Sequence, residues 1–390
     1  MYKKITYMLL VFLIGACSST PTIQTSTYEQ LQSDATQLSK KLNVNVIELN
    51  DGLPKDVTNF NQDGIWPELR RAESRKFAVN IKNTLDKTDA FGNVSVTSSP
   101  NFYTDITLKG KIIKSNGEDL HLDITVTDST GHQLVKKTYR HRTYEYFFEN
   151  IRNKDIDPFD PLYRSIASDI INALKLKDLD VIESITNLRF ANNLNASYFN
   201  DSIEMKNDRY VEKFIPASND PMFIRSQNVQ LKDMMFRNEM QNHYISFAEK
   251  MDDSYKVWQE AAFKASKQKR EAEAAAAAQA VLGALLVAAA ASSASSSDYD
   301  YSTSSIVAAS VGAGLLVGAV VNSQEAKVHE NTINEVSKSF DGEIAPKVVE
   351  MEGLQVKLEG SIDEQFTKWQ NVLRTIYESE SSQTKEFEIL

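Results

Sequence analysis

The chain has 390 residues, 42% hydrophobic and 25% charged, with a formal net charge of −10, five histidines and one cysteine. The acidic balance argues against nucleic-acid binding, which needs a basic face, and a lone cysteine excludes both an intrachain disulfide and a cysteine-built zinc site. His121, His132, His141, His243 and His329 are scattered without metal-ligand spacing, and there is no phosphate loop, nucleophile elbow or dinucleotide fingerprint; no catalytic, cofactor or metal residue is assigned and no enzymatic activity is expected.

Residues 1–16 read as a signal peptide. Lys3 and Lys4 form its charged start, Ile5 to Ile14 its apolar run, and Gly15 and Ala16 the small residues before a cut. The stretch Leu13-Ile14-Gly15-Ala16-Cys17 closely resembles the lipobox of bacterial lipoproteins. That resemblance implies a diacylglyceryl group on the Cys17 thiol, cleavage before Cys17 and acylation of the new N-terminus. Three acyl chains exceed the two signals that stable anchoring requires. Ser18, not Asp, follows the cysteine, which by resemblance to enterobacterial sorting implies the outer membrane, on its periplasmic face. The alternatives are an ordinary signal peptide with an incidental cysteine, or an uncleaved anchor. Loss of Lys3 and Lys4 takes the formal charge from −10 by two units to −12.

Residues 17–27, polar, uncharged and holding Pro21, suit a tether between lipid and domain. An α/β domain is expected over 28–176. A short helix covers Tyr28 to Leu42, and Val44, Val46, Ile47 and Leu49 suggest a strand. Trp66-Pro67-Glu68 opens a helix with proline and acid early, and Leu69, Phe77, Ala78, Ile81 and Leu85 share one face. Phe91-Gly92-Asn93 turns into a strand at Val94. Strands at 103–114 and 120–126 alternate around Asn116-Gly117, the strongest short hairpin signal. Asp128-Ser129-Thr130-Gly131 turns into a third, Gln133–Arg140. Period-2 alternation with polar partners predicts a sheet with one wet face. A helix follows from Pro158 to Leu176. The acidic run Asp155, Asp157, Asp160 reads as a solvated turn capping that helix rather than a cation loop, lacking the glycine and final glutamate of a calcium site.

The succession of helix, short strand, Tyr-Thr-Asp-Ile-Thr-Leu-Lys-Gly-Lys-Ile (103–112) and Asp-Ser-Thr-Gly-His-Gln-Leu-Val (128–135) resembles the α/β domain of envelope lipoproteins. That group includes the TolB N-terminal domain, CsgG and LpoB. The likeness spans about 44–175, rests on pattern, and implies a non-catalytic domain that binds an envelope protein. It carries over no site residues.

Residues 177–226 read as a helical and irregular connector. A helical hairpin is expected over 227–345. Met240, Tyr244, Phe247, Met251, Tyr255, Trp258 and Ala262 form a coiled-coil-like seam, read as packing. Apolar segments 274–291 and 306–321 flank a polar, serine-rich tip. The second holds Gly312, Gly314 and Gly318, with Gly314 and Gly318 at the spacing of a glycine zipper; these are the expected helix-packing points. At about 1.5 Å per residue, 18 residues reach roughly 27 Å, near the thickness of a hydrocarbon core. The hairpin is expected to enter a bilayer or join copies of the chain in a homo-oligomer; the alternative is a soluble hairpin whose small residues pack on each other. Residues 346–390 form a strand pair turning at Glu352-Gly353 and a helix from Ile362 to Tyr377, with a frayed tail.

The expected fold class is α+β, a small, largely antiparallel sheet with packed helices followed by the long hairpin. The expected function is a lipid-anchored protein-binding or assembly module. The rivals are an oligomeric pore or secretion component built from the hairpin, and a hydrolase whose site the sequence does not disclose.

Overall fold

The computed structural model describes residues 25–53, 66–98, 102–293, 344–351 and 354–387, with single positions between 331 and 338; at 273 and over 276–293, 344–351, 354–356 and 379–387 it describes the backbone alone. Helix α1 (Tyr28–Ala35) precedes β1 (Val44–Ile47), α2 (Pro67–Lys87), β2 (Val94–Thr97), β3 (Ile106–Ser115), β4 (Asp119–Asp128) and β5 (Gln133–Arg142). Strand order is β2-β1-β3-β4-β5. β1 lies parallel to β2 and β3, and β3-β4-β5 form an antiparallel meander with much longer ladders. The fold is α+β, and by length its sheet is largely antiparallel. β1 and β2 are buried at every position, as parallel strands covered on both faces must be. β4 alternates, sending Leu120, Leu122, Ile124 and Val126 into the core.

Helix α1 stops at Ala35 instead of reaching Leu42. Its start is firm, since Thr27 and Gln30 cap it reciprocally. Its end is weak, because Leu31 is its one buried residue and the Thr36 hydroxyl donates back to the Ser33 carbonyl. Helix α3 (Asp160–Leu174) buries Leu162, Ile166, Ile170 and Leu174, the face read from the sequence.

The connector is more ordered than its composition suggests. It holds α4 (Leu179–Leu194), capped by Asp178, a one-turn helix at Ala196–Phe199 and a hairpin of β6 (Ile203–Lys206) and β7 (Arg209–Glu212). Asn207 and Asp208 both take positive φ, the geometry of a tight hairpin turn reached here without glycine.

Helix α5 (Pro221–Ser293) is 73 residues long, about 110 Å at 1.5 Å per residue. Met240, Tyr244, Phe247, Met251 and Tyr255 are buried, with Trp258 packed partly beside them. They pack into the molecule's own core, where α5 meets α2, β2 and α4. β8 (Ile344–Met351) and β9 (Leu354–Gly360) pair antiparallel with Met351 opposite Leu354; the expected turn residues Glu352 and Gly353 lie outside the described residues. Helix α6 (Ile362–Phe387) outruns the expected end at Tyr377. Its Trp369 stacks on Phe236 of α5 at 4.5 Å between ring centroids, and its indole N–H donates to buried Asp233 at 3.2 Å. The buried core is continuous from Leu31 to Tyr377, so α5 and α6 close what the sheet begins.

Two features protect the sheet. The Gln241 side chain of α5 accepts from Val96 N–H at 2.7 Å and donates to Val96 C=O at 2.9 Å, pairing the outer side of edge strand β2. At the β3–β4 turn, Arg142 grips buried Asp119 with two bonds of 2.7 and 3.0 Å, and Lys114 adds one at 2.6 Å. Burial alone would raise the Asp119 carboxyl, but these donors hold it below its ordinary 3.8. A depressed carboxylate stabilises the fold above its unfolded value, and the contribution is lost as pH falls through the folded value. Asp119→Asn should therefore cost about 1.5–3 kcal/mol at pH 7, with the gap to wild type closing as pH drops below 3.8. Urea titrations across that range check it; a pH-independent gap would refute the assignment.

Candidate functional site

Cys17, the expected lipidation site, and Gly312, Gly314 and Gly318, the expected packing points, lie outside the described residues. So does the apolar segment 306–321. Segment 274–291 lies on α5, whose backbone is helical through it. Among the described residues no helix is long and apolar enough to cross a membrane. What is visible is how the tether joins the domain. Arg164 of α3 donates to the Ser26 carbonyl at 2.6 Å, and the Tyr28 hydroxyl donates to Asp160 at 2.6 Å.

The acidic run lies beside a cleft of about 540 Å³ between α2, the 155–160 turn and α5. Two of its three carboxylates, Asp157 and Asp160, are occupied by the protein itself. Asp157 accepts from Phe159 N–H at 2.7 Å and from the Asn80 amide at 2.7 Å. Asp160 accepts from Tyr28 and pairs with Arg164 at 2.7 Å. The expected side-chain cap is not formed: the N-cap of α3 is Phe159, without a side-chain cap bond, and Asp157 instead braces the turn ahead of it. Burial pushes the Asp157 carboxyl up, against the pull of Lys76. Lys76 in turn pairs with Asp252 of α5 at 2.8 Å. Beneath lies Glu73 of α2, fully buried, taking hydrogen bonds from Ser115 at 2.6 Å and Tyr255 at 2.9 Å and an ion pair from Arg70 at 3.1 Å. This polar seam fastens α5 to α2.

Catalytic chemistry needs a nucleophile or a base held in a productive pair. Among the described residues no group of three His, Cys, Asp or Glu has metal-holding geometry. Burial pushes His121, His132, His141 and His243 below the ordinary imidazole range. The partner of the His132 ring is Lys177, 2.8 Å away, a cation that disfavours protonation further.

The feature with interaction chemistry is the wet face of the meander. Register places Lys109, Thr125 and Lys136 in one cross-strand row, Lys111, Asp123 and Thr138 in the next, and Lys114, His121 and Arg140 in a third. Residues in a row stand on the same face, strands about 4.8 Å apart. Lys109, Lys111, Asp123, Lys136, Thr138 and Arg140 are all exposed, so no described helix covers them. Four exposed cations face one exposed carboxylate, Asp123, which the Thr138 hydroxyl engages at 3.1 Å, while the fifth cation of these rows, Lys114, is paired with Asp119 at 2.6 Å. Ile113, half exposed beside the β3 bulge, adds an apolar contact. On a chain of net charge −10 this is a local reversal of sign. Period-2 alternation announced a wet face, but its charge follows from the pairing register, which the sequence reading did not assign. Comparison with protein-family models, curated proteins and solved structures finds no match to this chain.

Proposed function

We propose that the chain is a lipid-anchored protein of the bacterial envelope, held at the outer membrane through Cys17, whose α/β domain docks a partner with an acidic protein surface. The observation that carries the docking reading is the uncovered cationic face of β3-β4-β5. A flat sheet face with like charges about 7–12 Å apart suits a broad acidic surface. Its rows hold no Phe, Tyr or Trp on which a base would stack, which favours a protein over a nucleic acid. The lipobox-like segment and the envelope-lipoprotein pattern at 103–135 support the anchoring and the compartment. No residue is given a catalytic role.

A photo-crosslinking amino acid in place of Thr125, at the centre of the face, should capture a defined partner in intact cells. Combining Lys109→Glu, Lys111→Glu, Lys136→Glu and Arg140→Glu should abolish that adduct while leaving the melting curve near wild type, because exposed substitutions each change stability by only about 0.5 kcal/mol. An adduct indifferent to charge reversal, or none at all, would remove the docking reading. One observation favours the second reading, a pore: the α5 backbone stays helical through the alanine-rich 274–291. Reconstituted in planar bilayers, an anchored docking module passes no current, and stepwise conductance would establish the pore instead.

A further inference from the structure

The ten-residue strand β4 separates two ends of the domain by about 33 Å. At one end is the β3–β4 turn, at the other the β4–β5 turn. The exits of the chain are not spread between them. The tether enters at Ser26 and Tyr28, against Arg164 and Asp160 at the start of α3. That start lies at the β3–β4 end, since Phe159 meets the ring of His141, whose partner on β4 is Leu120. Helix α5 passes the same end. The Ser266 hydroxyl donates to the Asn116 carbonyl at 2.7 Å, Arg270 pairs with Glu118 at 2.9 Å, and Lys267 pairs with Glu145 at 2.5 Å. Beyond this contact Glu271, Ala272, Ala274 and Ala275 are exposed, and the helix continues into its apolar stretch.

Between these two exits lies the segment 144–156. It is joined to both: Phe148 packs on Phe263 of α5 at 4.9 Å, and Asp157, the residue that follows the segment, accepts from the Asp160 N–H that begins α3. It exposes large apolar side chains in quick succession, Tyr146 at 67% and Ile151 at 86%, with Tyr144 and Ile156 near half. The rings of Tyr144 and Tyr146 stack, 5.9 Å apart. Arg152 and Lys154 stand exposed among them, together with the acids Glu149 and Asp155 and with Glu145, which Lys267 of α5 pairs. Scattered single apolar side chains need no explanation. A run of Tyr and Ile with interposed Arg and Lys matches the composition of a membrane interface, where amphipathic rings and long cations settle at headgroup level. Met205, 54% exposed, and Phe214 sit on the hairpin side of the opposite end, with neither exit beside them.

We infer that the segment 144–156 rests in the headgroup region of the membrane that holds the lipid anchor, inserting Tyr146 and Ile151. The inference rests on acylation of Cys17. Eight residues lie between Cys17 and Ser26, and the nine Cα–Cα steps reach at most about 32 Å when fully extended. The tether therefore keeps this end within about 32 Å of the bilayer.

The test uses the acylated full chain in vesicles of phosphatidylethanolamine and phosphatidylglycerol. With the Cys17 sulfur in a thioether, an introduced cysteine is the only thiol. Ile151→Cys and, separately, Met205→Cys carry an environment-sensitive NBD label. At 151 the emission should rise severalfold, shift to the blue and be quenched by lipids bearing a shallow nitroxide. At 205 it should stay water-like. A water-like label at 151 on vesicle-bound, acylated protein overturns the inference alone and leaves the anchor standing. A blue-shifted label at 151 that lipid nitroxides do not quench also overturns it, since protein is then what covers the loop. If Cys17 of the parent chain reacts with maleimide, anchoring fails and the inference falls with it.

Discussion

Replacing Glu73 with alanine should destabilise the protein by about 3–5 kcal/mol, the range for breaking a buried ion pair on one side. Glu73 is fully buried on α2, and its oxygens are shared by Arg70, Ser115 and Tyr255. Burial pushes its carboxyl up; Arg70 and the two hydroxyls pull it back. Without the carboxylate, Arg70 keeps only its 3.0 Å bond to the Ser115 carbonyl, and its charge stays buried. The Tyr255 hydroxyl loses its acceptor on the face by which α5 joins α2. Melting should fall by roughly 10 °C at 2–4 °C per kcal/mol. Glu73→Gln, which keeps an acceptor but not the charge, should fall between. Calorimetry decides; an alanine variant melting with wild type would show that the seam contributes nothing.

Gly117→Leu should release α5 from the sheet locally. Gly117 sits at φ +81°, where side chains are strained by about 1–3 kcal/mol. A Cβ there would lie 2.6 Å from the Phe263 nitrogen and 2.7 Å from the Gln259 carbonyl oxygen, both backbone atoms of a helix that cannot yield singly. The helix must move outward, giving up the Ser266 and Arg270 contacts with the turn. The expected loss is at least about 2 kcal/mol, concentrated at one place. Amide hydrogen exchange should quicken across 259–270 and hold steady across 229–244, where α5 is clamped by Gln241, Trp369 and Phe236. Uniform quickening along α5 would show that the turn is not a separate clasp. Loss of this clasp should also disturb the loop 144–156, because Glu145 and Phe148 hold the same stretch of helix.

The elements legible in the sequence were those whose signal is local. Asn116-Gly117 and Asp128 to Gly131 marked the two turns of the meander, and strict alternation between them marked β4 and its buried face. The face of α3 was equally plain. What escaped was set by contacts distant along the chain. β1 and β2 have four residues each, too short for periodicity to declare their parallel pairing across the β1–α2–β2 crossover. The β6–β7 turn uses Asn207-Asp208, whose left-handed backbone carries no glycine signal. The stripe from Met240 to Tyr255 was readable as packing, but not its counterpart, because one apolar seam fits a partner helix or the chain's own sheet alike. The candidate docking face was hidden for the same reason. Lys109 and Lys136 are separated by 27 positions and meet only through register with Thr125. Cys17 is the reverse case, announced by five consecutive residues and lying outside the described structure.

The proposed anchoring through Cys17 would join the lipobox-like segment, the chain entering at Ser26 and the end of the domain from which α5 departs. The direct measurement is the mass of the N-terminal proteolytic peptide of protein isolated from cell membranes. It should begin at Cys17 and carry a diacylglyceryl group on sulfur together with an amide-linked acyl chain. A peptide beginning upstream of Cys17, or one beginning at Cys17 with a free thiol, would contradict it.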